Sequence, residues 1–543
     1  MVDLTAPAAR KPARPSAAAA GARGQDRVRP LALDWLVVVV PAIAELLVGG
    51  YGIGRPSLWR DEGYTRSVVQ RPLGDIIAML ANTDAVHGLY YVAMHPLVAV
   101  LGTSATAIRL PSLAATSLAA SLTAALGRRL ARAAGLRSAS MTGMLGGLLL
   151  VALPHTTWYA QDARPYAMAT LCAVGATYLL VRGLSAASRW WWAGYSAVIA
   201  VLALLNMSAL LLVVAHGVSL YILRGQQART GSATLMRPAV ARRWLAASGA
   251  VMAALSPLFI FAVRQADQIN WVRPPGAGTV FLLVADFSGY SALIPVVVPL
   301  ALLGVAADLH RRPRIGCTPA AVTVPWLVLP PAVLLAASVL APVYVQRYVI
   351  FCMPAAALLA ASGITWLAQQ ARLTAAGQRF PALASLLPAL LLITIAALVA
   401  SPQQVIRTSG ARLDNLAAVA AVVAANERPG DVILYVPWNT RVVALAYPGP
   451  FERLRDIGLG ESAVASATLG GVPASPPTLA SRFTHVRRLW TVRWTNYLTR
   501  PSHTPVAREQ ARLISQMILV HRWRIRTLVL SLYVAARHPA AQR

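Results

Sequence analysis

The sequence predicts a polytopic α-helical membrane protein followed by an extracytoplasmic α/β domain, and three observations carry the prediction. Of 543 residues, 57% are hydrophobic and only 13% charged, with a mean hydropathy of +0.57, too apolar for a soluble protein of this length. The basic residues fall in short segments between apolar runs, the distribution that orients a polytopic chain in its bilayer. The formal charge of +30 is therefore read as topology, with membrane lipid and not nucleic acid as the partner. Beyond about residue 400 the long apolar runs give way to alternating helix-like and strand-like segments.

Residues 1–30, rich in Ala, Pro and Arg without apolar periodicity, are expected to form a disordered cytoplasmic tail. The first apolar run, 31–53, is long enough to cross a ~30 Å hydrocarbon core and reads as a retained anchor. Residues 54–106 are expected as the first external loop. Within it GLYYVAMHPLVAVLG is short for a crossing, and its Tyr90, Tyr91 and His95 suit an interfacial helix. Further runs near 107–127, 139–156, 164–182, 190–204, 206–222, 243–263, 279–307, 318–340, 347–367 and 381–400 bring the expected count to about eleven crossings. With the N-terminus cytoplasmic, the inner loops carry Arg128, Arg129, Arg132 and Arg137, then Arg224, Arg229, Arg237, Arg242 and Arg243, then Arg311, Arg312 and Arg314. Counting the interfacial stretch as a crossing would move those arginines outside. Cys172, Cys317 and Cys352 lie in or beside the runs with no paired spacing, which supports neither a disulfide framework nor a zinc site.

Residues 401–543 are expected to form an extracytoplasmic α/β domain, large enough for a core of its own. Residues 414–428 fit a helix stopped by Pro429 and Gly430, and DVILYVPW reads as a buried strand. RRLWTVRW and RIRTLVLSLYVA are further strand candidates, with a basic helix through Ala507 to His521 between them. The segment holds no Gly-rich phosphate cradle, so a scaffold or acceptor-recognition role is the economical reading.

This topology places SLWRDEGYT, YAQDARPYA, RQADQINWVRPPGAG and the approach to Gln346, Arg347 and Tyr348 on the external face. Adjacent acids directly after a span would be costly facing lipid, so Asp61 and Glu62 mark the first place to look for a site. Asp61, in a cavity of restricted water, can take a proton from an incoming hydroxyl. Glu62 can bind an acceptor or a metal, or hold Asp61 in position. The plain alternative pairs both acids with Arg60 and Arg66 to orient the loop. Arg164 can make fork-like bonds to phosphate oxygens or pair with Asp162. Arg347, between Tyr344 and Tyr348, offers a second guanidinium or an interfacial anchor. Trp59, Tyr64, Tyr90 and Trp271 offer sugar-facing surfaces, although aromatic residues also collect at membrane boundaries. His87 has a weaker claim on phosphate, and His95, before Pro96, reads as packing. Asp286 reads as polar lining and Arg109 as an anchor for its span.

The motifs WRDEGYT, LYYVAMHPLVAVLG followed by AIRLPS, YAQDARPYA and QRYVIFCMP, in this order, resemble the GT-C superfamily of polytopic glycosyltransferases, particularly the protein O-mannosyltransferase and lipid A aminoarabinose transferase architecture. The resemblance covers about residues 31–400. It implies transfer of a sugar from a polyprenyl monophosphate donor, with Asp61 as catalytic base and Arg164, Arg347 and His87 handling the donor phosphate. Glu62, Tyr64, Tyr90, Asp162, Tyr348 and Trp271 are then the residues expected to face acceptor or sugar. The family often has Ser or Glu near the position of Gln161, which leaves the role of Asp162 open. Some members carry a metal; a divalent ion is compatible with this chain, but nothing in the sequence requires a cofactor. The Ala, Arg and Gly rich composition fits a high-GC actinobacterial source, for which decaprenyl-phosphate mannose and a lipoglycan acceptor at the plasma membrane are expected. An arabinofuranosyl donor or a protein hydroxyl acceptor are the competing enzymatic readings, and a lipid transporter or flippase the competing class.

Overall fold

A computed structural model of the chain describes residues 34–185, 188–230, 238–310, 318–496 and 504–536. The expected tail 1–30, Arg237, Arg311, Arg312, Arg314 and Cys317 lie outside them. Of the described residues, Asp34 to Leu36 belong to one unit and those from Val37 onward to a second.

Among the described residues seven helices are long and apolar enough to cross a membrane: Ala105–Ala133, Tyr166–Ser185, Met207–Ala228, Ser291–His310, Pro319–Leu340, Gln346–Leu373 and Pro381–Leu398. Two bent pairs, Ala139–Ala152 with Pro154–Ala160 and Ala239–Ala254 with Ser256–Arg264, raise the number to nine if each is one span. The protein is thus a multi-pass membrane protein, but the count of about eleven is not reached by helix length. The other two expected crossings correspond to Leu36–Gly50 and Arg189–Leu205, of 15 and 17 residues. At 1.5 Å per residue these reach about 23 and 26 Å, less than a ~30 Å hydrocarbon core.

The apolar run 279–307 also departs from expectation, because it is two helices instead of one. Thr279–Phe287 ends at Gly289, whose φ of +85° belongs to the left-handed region, and Tyr290 is extended before the chain turns into Ser291–His310. Apolar content alone does not reveal such a break; the Ser-Gly pair at 288–289 is its only local signal. The first loop is built from three helices, Arg60–Val69, Leu73–Asn82 and Gly88–Leu101. The last is GLYYVAMHPLVAVL, 14 residues long, about 21 Å.

The C-terminal region carries a five-stranded mixed sheet in the order β2 (Arg455–Asp456), β1 (Val432–Val436), β5 (Arg488–Trp494), β7 (Leu528–Ala535), β6 (Met517–Ile525), and a separate pair of short strands, β3 (Leu459–Glu461) and β4 (Val472–Pro473). β1 runs parallel to β2 and β5, while β7 is antiparallel to both β5 and β6. β1, in the interior of the sheet, is buried at every residue, as its continuous apolar run VILYV requires. Two expectations change here. The basic helix stops at Ser515, and Met517 onward is strand; RIRTLVLSLYVA is split between two strands, with Arg526 at φ 50° in the tight connection. The β6 stretch MILVHRWRI is an edge strand with Ile518, Leu519 and Val520 exposed, and its continuous apolar start MILV lacks the alternation that would separate it from a helix.

This region is packed onto the first loop. Arg66 donates to the carbonyls of Leu445 and Ala446 at 3.3 and 3.2 Å, and Arg71 to those of Thr468 and Leu469 at 2.8 and 3.0 Å. Gly63 is required at the contact: a Cβ there would lie 2.9 Å from Val442 Cγ2 and 3.1 Å from Ala446 Cβ. The helix that begins at Arg60 is therefore held between the membrane bundle and the sheet-bearing region.

Candidate active site

The site is built on the first turn of the Arg60–Val69 helix. Trp59 precedes it in extended conformation, and Glu62, three residues on, accepts from the Trp59 backbone N–H at 3.4 Å. Asp61 and Glu62 both lie where the helix dipole favours negative charge. Successive helical residues point about 100° apart, so the two acids enter different surroundings.

Glu62 is fully buried. Arg109 Nε and Nη2 each donate to one of its oxygens at 2.7 Å, and the backbone N–H of Ala163 donates to Oε1 at 2.9 Å. The remaining Arg109 donors reach the carbonyls of Ile53, Pro56 and Ser57. One ion pair thus ties together the end of the first apolar segment, the Ala105–Ala133 helix and the YAQDARPYA turn. Burial opposes ionisation of Glu62, but Arg109 more than offsets it and holds the carboxyl below its ordinary pKa. Glu62 has neither exposure nor a free face for an acceptor, a sugar or a metal; of the roles expected for it, holding Asp61 in position is the one this geometry allows.

Asp61 faces the other way. Its side chain is 20% exposed and lies 3.8 Å from Arg347 Nη2, whose side chain is 24% exposed. That separation is a charge pair and not a hydrogen bond, so both groups keep bonding capacity for a third party. Arg347 lies 5.1 Å from the Trp271 ring centre and 5.8 Å from those of Trp59 and Tyr348, a cation held among aromatic rings. Its Nε is buried without a hydrogen-bond partner.

Arg164 approaches from the YAQDARPYA turn and is 6% exposed. Its Nη2 lies 3.0 Å from His87 Nε2 and its Nη1 3.4 Å from the Tyr91 hydroxyl, while Nε is buried without a partner. A guanidinium only donates, so His87 Nε2 must accept; the ring proton then sits on Nδ1, directed at Asp84 Oδ1 at 2.6 Å. The other Asp84 oxygen accepts from the Tyr91 hydroxyl at 2.6 Å. Asp84 itself is held at φ 60°, a left-handed conformation uncommon outside glycine. Both His87 ring nitrogens are thus engaged, Nε2 by Arg164 and Nδ1 by Asp84, so in this arrangement the ring has no spare donor for the phosphate it was expected to meet. Burial works against the Arg164 cation, but Tyr91 and Asp61 raise its pKa well above the ordinary value. Asp61 is in electrostatic reach of both arginines.

Asp162 is 1% exposed, and its Oδ1 accepts from Trp59 Nε1 at 2.8 Å. It fixes the ring beside Arg347 and does not face a ligand as expected. Burial raises its pKa to about 6, with Arg412 opposing. Tyr90 is also fully buried, its hydroxyl without a partner. Tyr64 turns to the sheet-bearing region, donating to the Asn439 carbonyl at 3.3 Å. Of the residues expected to face acceptor or sugar, Tyr348 and Trp271 remain beside Arg347, and Trp271 is 54% exposed. His95 packs through a 2.9 Å contact with the Val69 carbonyl, and Asp286 pairs with His155 at 3.1 Å.

Two supporting residues escaped the sequence reading. Arg412 is fully buried over the Trp158 ring at 4.1 Å and donates to the carbonyls of Trp158 and Gln161. Asp414 accepts from Arg60 Nε and Nη2 at 2.8 and 3.1 Å and from Thr527 Oγ1 at 2.7 Å. The segment TSGARLDN has the composition of a linker, and an arginine two residues before an acid is a weak signal.

An apolar groove of about 410 Å³ is lined by Leu283, Phe287, Val297, Leu335, Ala356 and Leu359 among others. Ala356 follows Arg347 by nine residues in the same helical segment, on the order of 15 Å. Among the described residues no group of three or more His, Cys, Asp and Glu side chains is placed to hold a metal ion. Asp61 is flanked by guanidiniums and the neighbouring acids are engaged, a donor set that does not fit a resident divalent cation.

No protein-family model and no curated protein matches the chain by sequence. Solved structures do match. ArnT from Cupriavidus metallidurans bound to undecaprenyl phosphate aligns with a TM-score of 0.55 at 15% identity, over 92% of this chain and 98% of that one. The oligosaccharyltransferase of Archaeoglobus fulgidus in its apo form aligns with a TM-score of 0.50 at 11% identity, over 86% of this chain and 70% of that one. Likeness at such low identity carries the fold alone: a polytopic helical membrane protein with a sheet-bearing C-terminal region, built as these two structures are.

Proposed function

We propose that this protein is an inverting, polyprenyl-phosphate-dependent glycosyltransferase, with mannose as the sugar and a cell-envelope lipoglycan as the acceptor. One observation carries the reading: Asp61, a partly exposed carboxylate, pairs with Arg347 at 3.8 Å and interacts electrostatically with the buried Arg164, and an apolar groove is lined by residues that follow Arg347 in its own helical segment. The structural neighbour that holds undecaprenyl phosphate supports a lipid-phosphate donor. The choice of mannose and of a lipoglycan rests on the motif resemblance and on composition.

The groove receives the lipid tail, and the phosphate lies at the two guanidiniums. Asp61 accepts the proton of an acceptor hydroxyl as its oxygen bonds to the anomeric carbon; the bond from that carbon to the phosphate oxygen breaks, and polyprenyl phosphate departs. Arg347 and Arg164 offset the charge that develops on the leaving phosphate. Direct displacement inverts the anomeric configuration. The buried Glu62–Arg109 pair and the Asp84–His87 link hold the reacting groups without touching them.

The test is turnover in lipid nanodiscs with polyprenyl-phosphate mannose or polyprenyl-phosphate arabinose, presented with lipoglycan or peptide acceptors. An inverted mannosyl linkage on the lipoglycan is expected. Transfer from the arabinose donor alone, or to peptide alone, would replace the sugar or acceptor named here. Lipid movement across the bilayer without any glycosidic bond would overturn the enzymatic reading.

A further inference from the structure

The Ala105–Ala133 helix bears Arg109 at one end and Arg128, Arg129 and Arg132 at the other. Arg109 and Arg129 are 20 positions apart, about 30 Å along the axis and thus a membrane thickness. At the far end a pocket of about 440 Å³ opens against the Tyr166–Ser185 helix, and four arginines line it: Arg128, Arg129, Arg132 and Arg182. Its other walls include Ala125, Tyr178, Val181 and Leu184, mostly apolar. Arg129 Nη2 donates to Ser185 Oγ at 2.6 Å and joins the two helices across it. Arg182 packs over the Trp191 ring at 4.4 Å, and its Nε is buried without a hydrogen-bond partner. Trp190, next in sequence to Trp191, is 71% exposed, as suits a tryptophan at a membrane–water interface.

We propose that this pocket binds the phosphate headgroup of an anionic lipid in the leaflet opposite the candidate active site. Topology explains basic residues at the ends of spans, but it calls for no concave site between them. Four guanidiniums above apolar walls fit a group that is anionic at its head and hydrocarbon below. A lipid is favoured over free phosphate because the walls of the pocket are contributed by two membrane-spanning helices at their ends.

Native mass spectrometry of the full chain in detergent, with phosphatidylglycerol or phosphatidylcholine added, tests the proposal. Phosphatidylglycerol is expected to stay bound where phosphatidylcholine does not, and Arg128→Gln or Arg182→Gln to weaken it about fivefold each. Arg137→Gln removes an exposed arginine outside the pocket and is expected to leave binding unchanged. Should Arg182→Gln melt early, Arg182→Lys, which keeps the charge but not the planar fork, is expected to bind with intermediate strength. Equal retention of the two lipids would overturn the proposal, as would an Arg137→Gln loss equal to that of Arg182→Gln. Complete displacement of the lipid by inorganic phosphate would also overturn it, assigning the pocket to a free anion.

Discussion

Asp61 and Glu62 share a peptide bond and one helical turn, yet they differ in almost everything that governs a carboxylate. Glu62 receives donors from Arg109 and Ala163, 47 and 101 positions away in sequence, and has no exposed surface. Asp61 has a guanidinium near it but outside hydrogen-bonding distance, and a fifth of its surface is open. The difference teaches that chemical availability is set by which distant donors reach an acid. A closed ion pair serves as the frame, and an open one beside it is left for chemistry.

The comparison is broken most strongly from the closed side. Glu62→Gln leaves the Arg109 cation buried without its partner and is expected to cost about 3–5 kcal/mol of stability, read as a fall in the thermal midpoint and in folded yield. Replacing both by methionine should recover much of that loss, since burying the pair is itself expensive. On the open side Arg347→Ala is expected to lower kcat by about 10²–10³ with little change in melting, as a lost donor to the leaving phosphate does.

Asp162 sharpens the boundary between the two regions. Its pKa is raised from 3.8 to about 6 by burial. The folded state therefore binds its proton more tightly than the unfolded state does, and the stability this contributes is present below pH 3.8 and lost as pH rises through about 6. Asp162→Asn, which can still accept from Trp59, should gain stability over wild type near neutral pH and not in acid; parallel thermal melts across that range measure it. The smallest effect is at Tyr64, where loss of the hydroxyl bonded to Asn439 should cost at most about 1 kcal/mol and leave turnover unchanged in Tyr64→Phe.

Much of the architecture was legible because hydropathy and arginine spacing are local: the membrane bundle, the short Gly88–Leu101 helix and the strand at Val432–Val436 can all be read from stretches of 5 to 20 residues. The break at Gly289 was not, since it does not change the apolar content of its neighbourhood, and the end of the helix at Ser515 was not, since the run MILV that follows does not alternate and can equally continue a helix. In the site, Asp61, Arg164 and Arg347 stood out as charges at the ends of apolar runs, and the fold sets Asp61 and Arg347 3.8 Å apart. The partners of Glu62 and His87 depend on contacts between separate helices and could not be read from spacing. Arg412 and Asp414 were hidden because a buried arginine and a surface one look alike in a polar linker.

The central claim is that Asp61 performs the chemistry while its neighbour only frames it. Asp61→Asn keeps the size of the side chain and removes the base, so single-turnover assays in nanodiscs with a defined polyprenyl-phosphate sugar test it directly. The account predicts turnover reduced by about 10²–10⁴ with donor binding and melting temperature unchanged. A folded Asp61→Asn protein that turns over at the wild-type rate would contradict it.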